Sequence, residues 1–329
     1  CIRDRANSAK DACAVALRGI VPSLNTPFTA DDRIDVDGLA GEVNHIVAAG
    51  CAGMLVLAVA GESASLSAEE ADLVATTTIA RAAGRCPVIV SVTAADQAER
   101  CRRAARAAAL GADGILCQPP ADTDRNGRRA ALADVAGAGP GLLMIQDLDW
   151  QGGGLDIDEI VDLFDNGPGF ASLKVEVVPA GPKYSGVLQA TGGRLHVCGG
   201  WAVQQMLDAL QRGVHGFMPT GMEPLYVAIQ RAFAAGRIDE ARARHEALLP
   251  ILAFANQHID VSIRFFKRLR HAQGLFATDR CRPPVAPLDA IQQREADRLV
   301  ERVMRPVSYT HLRAHETNDL ISYAVFCLK

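Results

Sequence analysis

The stretch PVIVSVTAADQAERCRRAARAAALGADGILCQ, residues 87–118, carries the unit from which the rest of the chain is built. It opens on Pro87–Thr93, an apolar run rich in β-branched residues, which reads as a strand buried on both faces. An Ala-rich amphipathic segment from Asp96 to Leu110 reads as a helix. Gly111 follows it, where a C′ glycine is expected. Gly114–Gln118 is a second short apolar run. Two such strands joined by a helix form a crossover, so the strands are parallel.

Outward from this unit the same grammar recurs. Further strands are read at Gly19–Thr26, Gly53–Val59, Leu142–Asp147, Ala171–Glu176, Leu195–Cys198 and Gly216–Pro219. Helices are read at Asp37–Ala49, Ala68–Ala83, Arg125–Ala136, Asp158–Phe164, Gly181–Ala190, Ala202–Arg212 and Pro224–Ala235. Ser67 with Glu70 makes a capping box before the second helix, and Gly50, Gly84, Gly213 and Gly236 each close a helix. The expectation is an α/β fold, a (β/α)8 TIM barrel over 18–236. An open doubly wound sheet is the rival, but no G-x-G-x-x-G follows the first strand, so a dinucleotide site is unsupported. After Gly236 the strands stop. Ile238–Gln257, Val261–Gln273 and Leu288–Met304 read as a C-terminal three-helix extension, residues 237–305.

Composition narrows the function. The chain has 329 residues, 49% apolar and 22% charged, with a net charge of −4. Such a balance gives no basic footprint for nucleic acid or an anionic membrane, and 5% aromatic residues provide no base-stacking platform. No apolar run reaches the ~18 residues of a membrane span. Nine widely spaced cysteines without a C-x-x-C fit neither a disulfide framework nor a zinc site, and the reading is of reduced thiols in a cytoplasmic protein. The eight histidines form no ligand set. No metal and no cofactor is expected. The ends differ in character. CIRDR at the start and VSYTHLRAHETNDLISYAVFCLK at 307–329 resemble translated sequencing-adapter read-through, so 1–17 and 306–329 are set aside as non-native.

Barrel chemistry gathers where strands end. In Phe170-Ala-Ser-Leu-Lys-Val-Glu-Val-Val178 the residues alternate. Leu173, Val175 and Val177 suit the layer under the helices. Ser172, Lys174 and Glu176 then face the interior. A buried lysine is disfavoured as a cation, and a neutral amine is what Schiff-base formation requires. The bland alternative is an ion pair of Lys174 with a carboxylate, Glu176 being one step along the same face. Other strand-end polar groups are Asn25, Thr26, Glu62, Thr93, Gln118, Gln146, Asp147 and Thr220. Gly199 and Gly200 either cradle a phosphate or permit close backbone approach. Gly152–Gly154 form a loop that is either a lid or only a connection.

With these residues in place, the chain resembles the class I, Schiff-base aldolases of the dihydrodipicolinate synthase and N-acetylneuraminate lyase superfamily, over roughly Arg18 to Met304. The likeness rests on Pro22…Thr26-Pro27-Phe28 with Ile34-Asp35, on Gly61-Glu62 with Leu66-Ser67 and Glu70, and on Leu-Lys-Val-Glu around Lys174. It implies that Lys174 forms the Schiff base and that the turn at Ala60 and Gly61 receives the substrate carboxylate. Thr26, Thr93, Gly199 and Lys183 join as substrate-binding candidates. The departures bear on activity. Val59 and Ala60 stand where the family has two threonines. Gln146 stands for the strand-five tyrosine and Gln151 for an arginine, and the tyrosine pair after strand four is missing. Acid/base work then falls to Gln146 (through a water), Asp147 or Glu176.

The implied function is a lyase, an aldolase or dehydratase, acting on a small 2-oxo acid such as a 2-keto-3-deoxy sugar acid. The alternatives are a dihydrodipicolinate synthase-type condensation with pyruvate, a metal-dependent or phosphate-binding barrel lyase, and a non-catalytic barrel serving as a binding or regulatory protein. The family is commonly a homo-oligomer, so a dimer or tetramer is expected.

Overall fold

The structure is a computed structural model and describes residues 17–305. The expectations for 1–16 and 306–329 fall outside these. Seven parallel strands form one curled sheet in chain order: β1 (Met54–Val56), β2 (Val88–Ser91), β3 (Gly114–Cys117), β4 (Leu143–Asp149), β5 (Phe170–Val177), β6 (His196–Gly199) and β7 (Gly216–Phe217). Helices alternate with them: α1 (Val36–Ala49), α2 (Ala68–Ala82), α3 (Gln97–Leu110), α4 (Arg125–Ala138), α5 (Ile157–Asn166), α6 (Ala180–Ala190), α7 (Met206–Gln211) and α8 (Glu223–Ala234). Three more follow: α9 (Ile238–Ala255), α10 (Ile259–Ala272) and α11 (Ala290–Met304).

The local signals explain where these elements begin and end. Ser67 Oγ accepts from the Glu70 N–H at 3.2 Å while the Glu70 carboxylate accepts from the Ser67 N–H at 3.0 Å, which closes the capping box of α2. Asp96 caps α3, and Gly111 ends it with φ of 85°, the left-handed turn that glycine adopts without strain. Helix α7 is shorter than the sequence suggests, because 201–205 wind as a 3-10 turn before it.

The segment read as the first strand behaves differently from the other seven. It makes two isolated bridges, Ile20 to Phe217 and Ser23 to Leu55, and no continuous ladder. Pro22 has no N–H to donate, which interrupts any ladder through it. Its neighbours nonetheless bond to both sheet edges. The Val21 N–H donates to Phe217 and the Ser23 N–H to Pro219, while the Leu55 N–H donates to the Pro22 carbonyl, each at 2.8 Å.

Alternation along the strands divides the core into two layers. Leu173, Val175 and Val177 of β5 pack outward under the helices together with Ile145, Val197 and Tyr184. Leu17, Val21, Leu55, Ile89, Leu116, Met144 and Cys198 fill the interior. At the bottom of that interior the buried His196 ring bridges Ser172 Oγ (2.7 Å) and the Leu17 carbonyl (3.1 Å). The carbonyl can only accept, so Nε2 carries the proton and Nδ1 accepts from Ser172. No helix of the described residues is long and apolar enough to cross a membrane.

Candidate active site

β4 and β5 are the longest strands, and their C-terminal halves carry the polar residues of the interior. Gln146 pairs with Lys174 in register, and Leu148 with Glu176. Period-two alternation therefore places Gln146, Lys174 and Glu176 side by side. All three are buried, Lys174 being 6% exposed. Lys174 Nζ lies 3.1 Å from Glu176 Oε2. The same oxygen accepts from Gln146 Nε2, and Gln146 Oε1 accepts from Gln118 Nε2 at 3.1 Å. The result is one polar chain across β3, β4 and β5, ending on the lysine. Both sequence readings of Lys174, interior amine and partner of Glu176, describe the same side chain.

This chain opens on a cavity of about 80 Å³. A single water occupies ~10–15 Å³ on this kind of measure, so the space admits several non-hydrogen atoms. Lys174, Glu176, Gln146 and Gly200 line it, with Ala58, Val59 and Ala60 from the turn after β1. Apolar walls come from Leu148, Trp150, Val203, Met218 and Phe266. Gly200 is held to glycine by contact: a Cβ there would overlap the Glu176 carboxylate and lie 2.5 Å from Lys174 Cε. Of the two readings of this glycine pair, close approach is the one with a steric cause. Gly199 sits within β6 opposite Val175, where its carbonyl accepts from the Met218 N–H.

The turn at 59–61 is held from the first segment. Asn25 Nδ2 donates to the Ala60 carbonyl (2.8 Å) and Thr26 Oγ1 to the Gly61 carbonyl (2.6 Å). The Gly61 N–H is committed to the Ala58 carbonyl at 3.0 Å. Thr26 thus acts on the turn and does not line the cavity. Thr93 also stays outside the lining, its hydroxyl accepting from the Gln118 N–H at 3.1 Å.

Asp147 and Lys183 are brought together, away from the cavity lining. Lys183 Nζ lies 3.0 Å from Asp147 Oδ2 and donates to the carbonyls of Gly153 and Leu155. Asp147 Oδ1 accepts from the Leu155 N–H at 2.8 Å. Burial pushes the Asp147 carboxyl upward, against the Leu155 N–H and the Lys183 ammonium. The pair fastens the glycine loop after β4.

Further contributors to the site lie outside the sequence candidates. Ser23 and Tyr226 line the cavity, and so do Asn256, Ile259 and Ser262 from the α9–α10 junction. Ser23 was findable, since Val21, Ser23 and Asn25 alternate inward. The others sit on helices, whose approach to the mouth no strand periodicity encodes. Glu62 points away from the cavity and anchors the C-terminal helices. Its Oε1 accepts from Lys267 Nζ at 2.5 Å and its Oε2 from the Arg282 N–H at 2.8 Å. Among the described residues no group of three or more His, Cys, Asp or Glu is arranged to hold a metal.

Comparison with known proteins agrees with this architecture. L-2-keto-3-deoxyarabonate dehydratase of Azospirillum brasilense is 27% identical over 284 residues, covering 82% of this chain and 89% of that protein. A 4-hydroxy-tetrahydrodipicolinate synthase of Methanospirillum hungatei is 36% identical, but over only 36% of its length. The crystal structure of dihydrodipicolinate synthase from Rhodopseudomonas palustris superposes with a TM-score of 0.79 at 26% identity, over 87% of this chain and 98% of that one. A Ruminococcus gnavus sialic acid aldolase shares the fold, with a TM-score of 0.79 at 20% identity, over 88% of this chain and 97% of that one. The model of the Dihydrodipicolinate synthetase family matches residues 16–303, and the chain belongs to that family.

Proposed function

We propose that the protein is a Schiff-base lyase of 2-oxo acids, with a 2-keto-3-deoxy sugar acid as substrate, acting by dehydration. One observation carries the reading: a buried lysine stands at a strand end, 3.1 Å from a carboxylate, on the wall of a cavity of small-molecule size. Dehydration is favoured over aldol cleavage by the relative aligned over most of its length, a 2-keto-3-deoxy acid dehydratase.

In this reading the Lys174 amine attacks the 2-oxo carbon, and Glu176 takes the proton that the nitrogen sheds. Solvent water protonates the alkoxide, and the carbinolamine then loses water to give an iminium, with Glu176 returning its proton to the departing hydroxyl. The cationic nitrogen then draws electrons from C3. Glu176 takes a C3 proton to give the enamine and returns it to the C4 hydroxyl, which leaves as water; the unsaturated iminium that remains is hydrolysed by a second water to release Lys174. Gln146 and Gln118 orient Glu176, and general acid–base help of this kind is worth ~10²–10⁴-fold. The substrate carboxylate rests at Ala60, in the turn that Asn25 and Thr26 hold in shape, while the Gly61 N–H stays bonded to Ala58.

The scaffold of this reading is a barrel whose eighth, irregular strand is the segment around 19–24, extended by α9 to α11. It is proposed to work as a homo-oligomer, a dimer or tetramer. The test is borohydride trapping with pyruvate and with 2-keto-3-deoxyarabonate, with the adduct mapped by mass spectrometry. The expected mass gain is on Lys174 and is abolished in Lys174→Ala. Absence of any adduct on Lys174, or full turnover by Lys174→Ala, would sink the mechanism.

A further inference from the structure

Two hydroxyls in the cavity wall have no partner. Ser23 is 5% exposed and Tyr226 is fully buried, and neither Ser23 Oγ nor the Tyr226 hydroxyl meets a hydrogen-bond partner among the described residues. Both side chains line the cavity that holds Lys174 and Glu176. They arrive from distant parts of the chain, Ser23 from the bridged segment beside Leu55 and Tyr226 from the first turn of α8. A buried hydroxyl that no protein group pairs carries a desolvation cost in the folded chain. Alanine and phenylalanine would continue the apolar wall of Val203, Met218 and Phe266 without that cost. The hydroxyls therefore weaken the unliganded protein, and a bound group that pairs with them offsets the loss.

The chemistry of that group follows from the surroundings. Lys174 is engaged with Glu176, so these hydroxyls stand without a free cation. Glu223, in the same turn of α8, places a carboxylate near Tyr226. Arg270 already pairs with Glu223, so a second carboxylate buried there would meet two neutral donors and no unpaired cation. A neutral hydroxyl, both donor and acceptor, fits them.

We propose that Ser23 and Tyr226 are specificity-determining residues that bind the hydroxyl-bearing end of the substrate, and so select hydroxylated 2-oxo acids over pyruvate. The proposal rests on the 2-oxo acid reading of Lys174, and its test separates the two. Calorimetric titration with pyruvate and with 2-keto-3-deoxyarabonate is compared in the wild type, Ser23→Ala and Tyr226→Phe, alongside trapping of Lys174. Loss of one hydrogen bond of ~0.5–1.5 kcal/mol weakens the hydroxylated acid about 2- to 12-fold in each variant, and pyruvate by less than twofold. The melting temperature of each unliganded variant stays level or rises, whereas a hydroxyl with a structural role would lower it.

Equal weakening of both acids, or no weakening of either, overturns the proposal. So does a failure of the wild type to bind the hydroxylated acid at all. Selective weakening without any trapped lysine leaves the hydroxyl assignment standing and removes the Schiff-base reading.

Discussion

At the scale of single residues, the site depends on atoms that are absent as much as on those present. Gly200 has no side chain, and the Lys174–Glu176 pair occupies the space a Cβ would take. Gly200→Ala forces that pair aside in a packed interior, at a cost of ~1–3 kcal/mol. Its expected effect on the proposed chemistry is larger, because the amine and the carboxylate beside it separate. Borohydride trapping of pyruvate by Gly200→Ala should fall at least tenfold while near-ultraviolet circular dichroism keeps the native signature. Trapping at the wild-type rate would show that the pair can shift without loss. The sequence makes Lys174 and Glu176 legible, because residues two apart on a strand share a face. It leaves the role of Gly200 open between two readings, because the contact runs between strands and depends on barrel register. Tyr226 is hidden for a similar reason: a tyrosine on an amphipathic helix reads as core.

At the scale of elements, the connections do more than join strands. The loop after β4 contains Gly152, Gly153 and Gly154, yet Lys183 on α6 bonds its carbonyls and Asp147 bonds the Leu155 N–H. Removing one member of a buried ion pair strands the other and costs ~3–5 kcal/mol. Lys183→Met should therefore lower the unfolding free energy by about that amount, measured by denaturant titration. Limited chymotrypsin digestion should also cut faster after Trp150, which lies in this loop. An unchanged digestion pattern would assign the loop's order to something other than the pair. The sequence puts Asp147 at a strand end and Lys183 just past the next strand, positions that invite a catalytic and a substrate-binding reading. Only the fold shows that they satisfy each other. The strand–helix alternation itself is plain from composition and caps. The irregularity of the first segment traces to Pro22, whose effect on a ladder depends on which neighbour it meets.

At the scale of the whole molecule, buried titratable groups couple stability to pH. Burial holds His196 down to about 3, with the neighbouring His215 adding to it, and burial likewise lowers His215 to about 4, helped by Arg18. The unfolded chain binds those protons near pH 6.5, so below that pH it holds more protons than the native protein and stability falls with acid. Glu42 acts in the opposite sense. Burial raises it to about 7, with the Arg270 guanidinium opposing and Glu223 adding to the rise. It is protonated in the native state before it is in the unfolded chain, which favours folding as pH falls through about 7 toward the ordinary carboxylate value. A comparison with His196→Asn isolates the histidine. Its destabilisation relative to the wild type should be largest at pH 7.5 and should shrink by ~1 kcal/mol for each pH unit below about 6.5. Denaturant titrations at pH 7.5 and 5.5 measure it, and a gap that does not narrow would mean His196 is protonated in the native state.

The partners of the buried acids have a consequence for how the chain is made. Glu62 is held by Lys267 and by the Arg282 N–H, and Glu42 by Arg270, across 205, 220 and 228 residues of sequence. Synthesis proceeds at ~5–20 residues per second, so the acids leave the ribosome ~10–45 seconds before the cations that neutralise them. Until then Glu62 lacks its cation and Glu42 is buried only as the neutral acid, so the strands beside them lack part of their final packing. The polypeptide that waits already carries all seven strands of the sheet. Closure of the charge pairs by α10 therefore follows synthesis of every strand. Because Ser262 and Phe266 on the same helix line the cavity, the helix that closes these pairs also completes the cavity wall.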